Sequence, residues 1–236
     1  MLQLDDMTIR FGALTAVDAV TLTAHRNEVL GLVGPNGAGK TTLFNAISGL
    51  VRPTSGSIRF QDADLSRMPL HRRARLGIGR TFQIPQPLAE LTVRENLVVA
   101  QRFSTGRTDD EQIAQVLDFT GLAALAQRNA ATELALTELK ALEIAKALCT
   151  KPKLLLLDEV LAGLETAGKR RFVGMLRDLH ARFQVGIVII EHDIETIGQL
   201  CNRVAALDFG HLIALGTPDD VFNDPEVVRS YTGGQT

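Results

Sequence analysis

Apolar spacing along the chain changes texture twice. Near the start, Met7-Thr8-Ile9-Arg10-Phe11 and Ala19-Val20-Thr21-Leu22-Thr23 read as short strands around a turn at Gly12-Ala13, which predicts an antiparallel sheet. Val29-Leu30-Gly31-Leu32-Val33 is then continuously apolar, the pattern of a strand buried on both faces. A helix is predicted over residues 41–47, followed by a turn at Pro53-Thr54-Ser55-Gly56 and a strand over residues 57–60. Residues 69–75 read as a short basic helix with a solvated face, and residues 77–83 as a strand ending in a polar residue. The prolines at 85 and 87 predict an elbow.

After Leu91 the strand signals stop. Val93, Leu97 and Val98, then Ile113, Val116 and Leu117, recur at helical spacing, with a break at Ser104-Thr105-Gly106-Arg107. This predicts a helical subdomain over about residues 84–150, inserted into a core made of residues 1–83 and 151–236 of a single domain. The core resumes with Leu154-Leu155-Leu156-Leu157, which ends in Asp158-Glu159. A helix over 165–182 leads to a second buried strand, 185–190, which ends in Glu191-His192-Asp193. Strands alternating with helices predict an α/β fold with a mostly parallel sheet, preceded by the antiparallel β-subdomain. Residues 203–215 read as a hairpin turning at Gly210, and 218–231 as short closing helices.

The candidate chemistry lies where predicted strands end. Gly34-Pro35-Asn36-Gly37-Ala38-Gly39-Lys40-Thr41-Thr42 fits G-x-x-x-x-G-K-[ST] and sits between a strand and a helix, the context a phosphate-binding loop requires. Glycines let successive N–H groups point inward at phosphate oxygens, and the helix N-terminus adds partial positive charge. Lys40 is expected to reach the outer phosphates and the Thr41 hydroxyl to ligate Mg²⁺. The chain is therefore read as binding a nucleoside triphosphate. Asp158 matches the acid that holds Mg²⁺ through water, and Glu159 is placed to accept a proton from an attacking water. His192, at the end of a neighbouring strand, is a candidate sensor of the γ-phosphate. For Phe11 the spacing leaves two readings open: a half-buried strand residue, or a ring stacked on a nucleobase.

Composition narrows the partners. The 236 residues are 45% hydrophobic and 22% charged with a net charge of −2, so there is no electrostatic footprint for nucleic acid. Cys149 and Cys201 are too few and too scattered for a disulfide framework or zinc site and read as buried thiols of a reducing compartment. Asp5 and Asp6 stand where a signal peptide would carry base, and no apolar run is long enough to span a bilayer. Any membrane role is expected to come through a partner.

Together these motifs carry a resemblance. The chain resembles the ATP-binding subunits of ABC transporters along essentially its whole length, with Walker A at Gly34 to Thr42 and Walker B at Leu154 to Glu159. The resemblance implies that ATP and Mg²⁺ are the cofactors and that Phe11 stacks on adenine, with Val17 against the base or ribose. It implies that Gln83 is the Q-loop glutamine and a metal ligand beside Thr41 and Asp158, with Glu159, His192 and Gln83 serving catalysis. Arg80-Thr81-Phe82-Gln83, Leu91-Thr92-Val93-Arg94-Glu95-Asn96, Leu142-Glu143-Ile144-Ala145 and Ile190-Glu191-His192-Asp193 are similar to the branched-chain amino-acid uptake group. The ending, through Arg229-Ser230-Tyr231, shares that likeness; subunits for urea, amides or lipid export share much of the pattern. The implied partners are membrane permease subunits, a second ATP-binding subunit and a periplasmic solute-binding protein. The implied location is the cytoplasmic face of the membrane.

Two stretches depart from the family. The signature Leu-Ser-Gly-Gly-Gln aligns with Leu134-Ala135-Leu136-Thr137-Glu138, and residues Ala135, Leu136, Thr137 and Glu138 are expected to act across the dimer. Thr137 also reads as a helix N-cap. Glu165 holds the usual D-loop aspartate position, and Val160 that of a proline. These departures favour a heterodimer with unequal sites. They also keep open an ATP-switched regulatory subunit with slow or absent hydrolysis. A nucleic-acid-repair ABC protein is disfavoured, since zinc-binding cysteines, coiled-coil heptads and basic stripes are all missing.

Overall fold

Two sheets form from the strand segments in the computed structural model, which describes residues 1–232. The first is antiparallel: β1 (Leu2–Phe11), β2 (Leu14–Ala24), β4 (Ser55–Phe60) and β5 (Ala63–Asp64) lie in the order β2-β1-β4-β5. The second contains β3 (Val29–Val33), β6 (Ile78–Arg80), β7 (Leu154–Asp158), β8 (Gly186–Ile190), β9 (Arg203–Asp208) and β10 (His211–Gly216), in the order β10-β9-β3-β8-β7-β6. All its pairings are parallel except the β9–β10 hairpin.

The continuous apolar runs are explained by layers on both faces of this sheet. In β7, Leu154 and Leu156 join the interior shared with the antiparallel sheet and α1 (Lys40–Ser48), while Leu155 and Leu157 join the opposite interior. Ile187 and Ile189 against Val188 and Ile190 divide β8 in the same way. Side chains alternate across a strand, so a strand covered on both faces must be apolar at every position.

Between β6 and β7 the chain is helical. α3 (Val93–Thr105) starts at Thr92, whose hydroxyl accepts from Glu95 N–H while Glu95 accepts from Thr92 N–H, a reciprocal cap. α4 (Asp110–Phe119) and α5 (Leu136–Cys149) pack with it against the sheet interior. After β7 come α6 (Thr166–Phe183), α7 (Ile194–Leu200), α8 (Pro218–Phe222) and α9 (Pro225–Thr232). Cys149 and Cys201 are buried free thiols, and burial pushes both up to about 12.

Three local expectations need correction. The predicted strand over 77–83 shrinks to Ile78–Arg80, because β7 offers it only three partners before Thr81 hydrogen-bonds to Leu156; Gln83 falls in the loop beyond. α2 (Leu70–Leu76) is not wholly solvated on its basic side, since Arg73 is 1% exposed. Its guanidinium donates to the carbonyls of Ala46, Ile47, Leu65 and Met68, satisfying the end of α1 and the turn after β5. Thr137 is not an N-cap: Ala135 holds that position and Thr137 lies inside the first turn of α5.

Arg73 therefore gives a stability prediction. Arg73→Leu removes the shared donor from buried carbonyls and should cost about 3 kcal/mol in urea unfolding. Arg73→Lys should recover only part of this, since an ammonium lacks the planar fork that reaches several carbonyls at once. Wild-type stability in both variants would refute the role.

Candidate functional site

Three strands of the parallel sheet, β3, β8 and β7, lie side by side and deliver their carboxyl ends to one place. The loop after β3 is built to be tight. Gly34 has φ 140°, and a Cβ there would collide with the carbonyl oxygen of Leu207 on β9. Gly39 has φ 100°, and its Cβ would meet the Ala16 carbonyl. Only glycine fits both constraints.

The loop wraps a cleft of about 410 Å³ lined by Asn36, Gly37, Ala38, Gly39, Lys40, Thr41 and Thr42, with Phe11, Leu14, Thr15 and Ala16 on one side and Glu159 and Phe209 on the other. Lys40 Nζ donates to the carbonyls of Gly34 at 2.7 Å and Pro35 at 2.9 Å. Burial lowers its ammonium below the ordinary value, opposed by the carboxylates of Glu159 and Asp158. Phe11 is 51% exposed at the end of β1 and presents an uncovered ring to the cleft. Val17, expected against the base or ribose, is instead fully buried in the interior behind the loop, and Leu14, Thr15 and Ala16 supply the wall.

Glu159 is the meeting point of groups far apart in sequence. Its Oε2 accepts from Gln83 Nε2 at 2.5 Å, and its Oε1 lies 2.9 Å from His192 Nε2. Its backbone is left-handed at φ 48°, uncommon outside glycine. Two contacts hold it there: Glu159 N–H donates to Ile190 O on β8, and buried Lys140 on α5 donates to Glu159 O at 3.2 Å. Strain of this kind persists where surrounding structure over-determines it.

Asp158 is buried and faces Arg80, whose Nη2 sits 3.2 Å from its carboxylate. Burial raises Asp158 above the ordinary carboxylate range, with Arg80 opposing. Arg80 also donates to Asn45 Oδ1 and Ser48 Oγ on α1 and lies over the rings of Phe82 and Phe44. The signature stretch sits apart. Ala135, Leu136, Thr137 and Glu138 form the start of α5, outside the cleft lining, with Glu138 accepting from Ala135 N–H at 2.7 Å.

Sequence reasoning missed the structural roles of Arg80, Lys140 and Tyr231. Tyr231, on α9, accepts the Gly34 N–H at 2.7 Å, and burial pushes its phenol above the usual value. Arg80 had a sequence signal, a basic residue inside a predicted strand. The other two belong to helices whose packing direction no local pattern discloses.

A phosphate loop opening a helix, with acids at the ends of parallel strands of the same sheet, defines a P-loop nucleoside triphosphatase. Residues 17–162 match the family described as ABC transporter. The high-affinity branched-chain amino acid transport ATP-binding protein LivG of Escherichia coli is 36% identical over 250 residues, spanning 99% of this chain and 98% of that protein. BraF of Pseudomonas aeruginosa, with the same description, is 34% identical over 99% of this chain and 98% of its own length. The lipopolysaccharide export system ATP-binding protein LptB of Haemophilus influenzae is 34% identical, over 100% of this chain and 98% of that protein. The ADP conformation of an ATP-binding cassette of an ABC transporter superposes with a TM-score of 0.89 at 30% identity, covering 99% of each chain. The chain belongs to the ABC transporter family, as its ATP-hydrolysing cassette. No helix among the described residues is long and apolar enough to cross a membrane.

Glu191 supplies a pH prediction. It is 5% exposed and accepts Leu161 N–H at 2.8 Å. Burial pushes it from an ordinary 4.5 up to about 7, with Lys140 opposing. The folded state thus binds this proton more tightly than the unfolded state, so its contribution to stability is full below pH 4.5 and is lost as pH rises towards 7. Glu191→Gln should remove that slope, improving relative to wild type by on the order of 2 kcal/mol between the two ends of the window. Urea unfolding at pH 5 and pH 8 checks it; parallel behaviour of the two proteins would contradict it.

Proposed function

We propose that the chain binds Mg²⁺ and ATP in the cleft between Phe11 and the phosphate loop and hydrolyses the nucleotide. Hydrolysis drives uptake of branched-chain amino acids or related small amides through membrane permeases. The observation that carries the catalytic reading is Glu159, which lines the cleft with its carboxylate bracketed by Gln83 and His192. Glu159 polarises a water and accepts its proton as the water oxygen bonds to the γ-phosphorus and the bond to the bridging oxygen breaks, releasing ADP. His192 orders the carboxylate and senses the γ-phosphate. Lys40 exchanges its two carbonyl partners for phosphate oxygens. The LivG and BraF likenesses support the solute.

Thr41, Asp158 and Gln83 fit a small hard cation, since a hydroxyl, a carboxylate and an amide oxygen are all oxygen donors. Gln83 uses its NH₂ group on Glu159, which leaves Oε1 available. Among the described residues no cluster of three or more His, Cys, Asp or Glu could close a metal site, so Mg²⁺ would take its remaining ligands from phosphate and water. Held there, such an ion would supply charge neutralisation on the phosphates.

Dimerisation head to tail would place each signature over the other subunit's phosphates, with residues 84–150 moving through the Gln83 elbow. Ala135 has no hydroxyl to donate, and Thr137 puts a branched Cβ where glycine allows close approach. The site this chain completes for its partner is the weaker one, which favours a heterodimer. A periplasmic solute-binding protein completes the system, and the cassette sits on the cytoplasmic face. The likeness to LptB supports a second reading, the same motor serving lipid export.

Glu159→Gln keeps shape but removes proton acceptance. ATP affinity should persist while steady-state turnover falls by roughly two orders of magnitude or more. In the assembled complex the matching change in the partner should cost less; the reverse ranking, or normal turnover, contradicts the assignment. Phe11→Ala should weaken ATP binding by about 1–3 kcal/mol in calorimetry, with Phe11→Tyr mild. Unchanged affinity in a folded alanine variant returns Phe11 to simple strand packing.

A further inference from the structure

Among the described residues, α9 hydrogen-bonds to the phosphate loop through one side chain. Tyr231 Oη accepts the N–H of Gly34, the first residue of the loop, at 2.7 Å and across 197 positions of sequence. On its other side Gly34 offers its carbonyl to Lys40 Nζ at 2.7 Å. Two peptide planes thus meet at the Gly34 Cα: one is held by α9, the other holds the lysine. Gly34 has no side chain to brace that hinge, and at its φ of 140° a Cβ would strike the Leu207 carbonyl behind it. Whatever fixes the first plane helps to aim the second.

The ladder explains why a side chain is needed here. β3 pairs with β9 as far as Val33 opposite Ala206, and the backbone then turns away into the loop. Gly34 N–H leaves the sheet at a buried position, where an unsatisfied donor is costly. The Tyr231 hydroxyl fills that need. The first turn of α9 is anchored independently, by Asp224 accepting from Glu226 and Val227 N–H and by buried Val227. The last turn reaches the phosphate loop through the Tyr231 hydroxyl, while the residue as a whole stays 42% exposed.

Resting on the nucleotide-binding reading above, we propose that Tyr231 is a positioning residue for the phosphate loop, coupling the docking of α9 to the binding of nucleotide phosphates. When a β-phosphate draws Lys40 away, Gly34 O loses its charged donor and the hinge relaxes, which alters the bond to Tyr231. Linkage is reciprocal, so a docked α9 favours nucleotide and nucleotide favours a docked α9.

The chain contains one tyrosine and no tryptophan, which makes this bond separately observable. Full-length protein labelled with 3-fluorotyrosine gives a single ¹⁹F resonance, read without nucleotide and with saturating AMP, or with ADP or a non-hydrolysable ATP analogue in the presence of Mg²⁺. The resonance should move with ADP and the ATP analogue, and stay near its free position with AMP, which has no β-phosphate. Tyr231→Phe should weaken ADP binding by about fivefold or more in calorimetry, with the circular dichroism spectrum retained. A resonance unmoved by ADP that calorimetry shows to be bound overturns the coupling, as does wild-type affinity in folded Tyr231→Phe. If the phenylalanine variant does not fold, the native resonance decides alone. Failure of native protein to bind ADP at all sinks the nucleotide reading itself, a distinct result.

Discussion

The order of three parallel strands is the constraint on which the site depends. β8 lies between β3 and β7, so the phosphate loop, the acids Asp158 and Glu159, and His192 emerge from adjacent carboxyl ends. Hydrogen-bonded neighbours in a sheet are about 4.8 Å apart, which brings residues over a hundred positions apart in sequence within side-chain reach. The ladder continues past the last paired residue: Glu159 N–H donates to Ile190 O, so the acid is held by the strand that also carries His192. Glu159 then accepts from Gln83 and faces His192 as a consequence of sheet order and not of local sequence.

Buried charges tie the helices to that arrangement. Arg80 joins Asp158 to Asn45 and Ser48 on the helix that the phosphate loop opens. Lys140 joins α5 to the Glu159 carbonyl, and Arg73 joins α2 to the end of α1. Burying such groups gains little net stability, because desolvation offsets most of the attraction. Their contribution is position: each fixes an element against a specific carbonyl or carboxylate. The helix that starts at residues 135–138 is thereby attached to Glu159 of its own chain through Lys140.

The phosphate loop is braced from two sides. Its glycines admit the Leu207 and Ala16 carbonyls at distances no side chain would tolerate. The Gly210 turn of the β9–β10 hairpin donates to Ala38 O and accepts from Asp18 N–H. Phosphate binding therefore rests on a backbone cradle built by β2, β9 and β10, with α9 adding the bond to Gly34.

Local chemistry was enough to place the elements that obey a period and the motifs that need a fixed spacing. Four leucines in succession imply a strand covered on both faces, and G-x-x-x-x-G-K-[ST] implies a backbone nest, because each pattern has one physical cause that acts within a few residues. Fold class, phosphate loop and strand-end acids were legible for that reason. Val17, Arg73 and Tyr231 were not. Alternation puts Val17 on one face of a strand but does not say whether that face meets a ligand or the interior. A basic helix reads as solvated until the carbonyls of another helix end are seen to lie beneath Arg73. Tyr231 acquires its partner only when α9 folds back over a loop 197 residues earlier, and such a contact is set by the packing of whole layers, which no stretch of sequence contains.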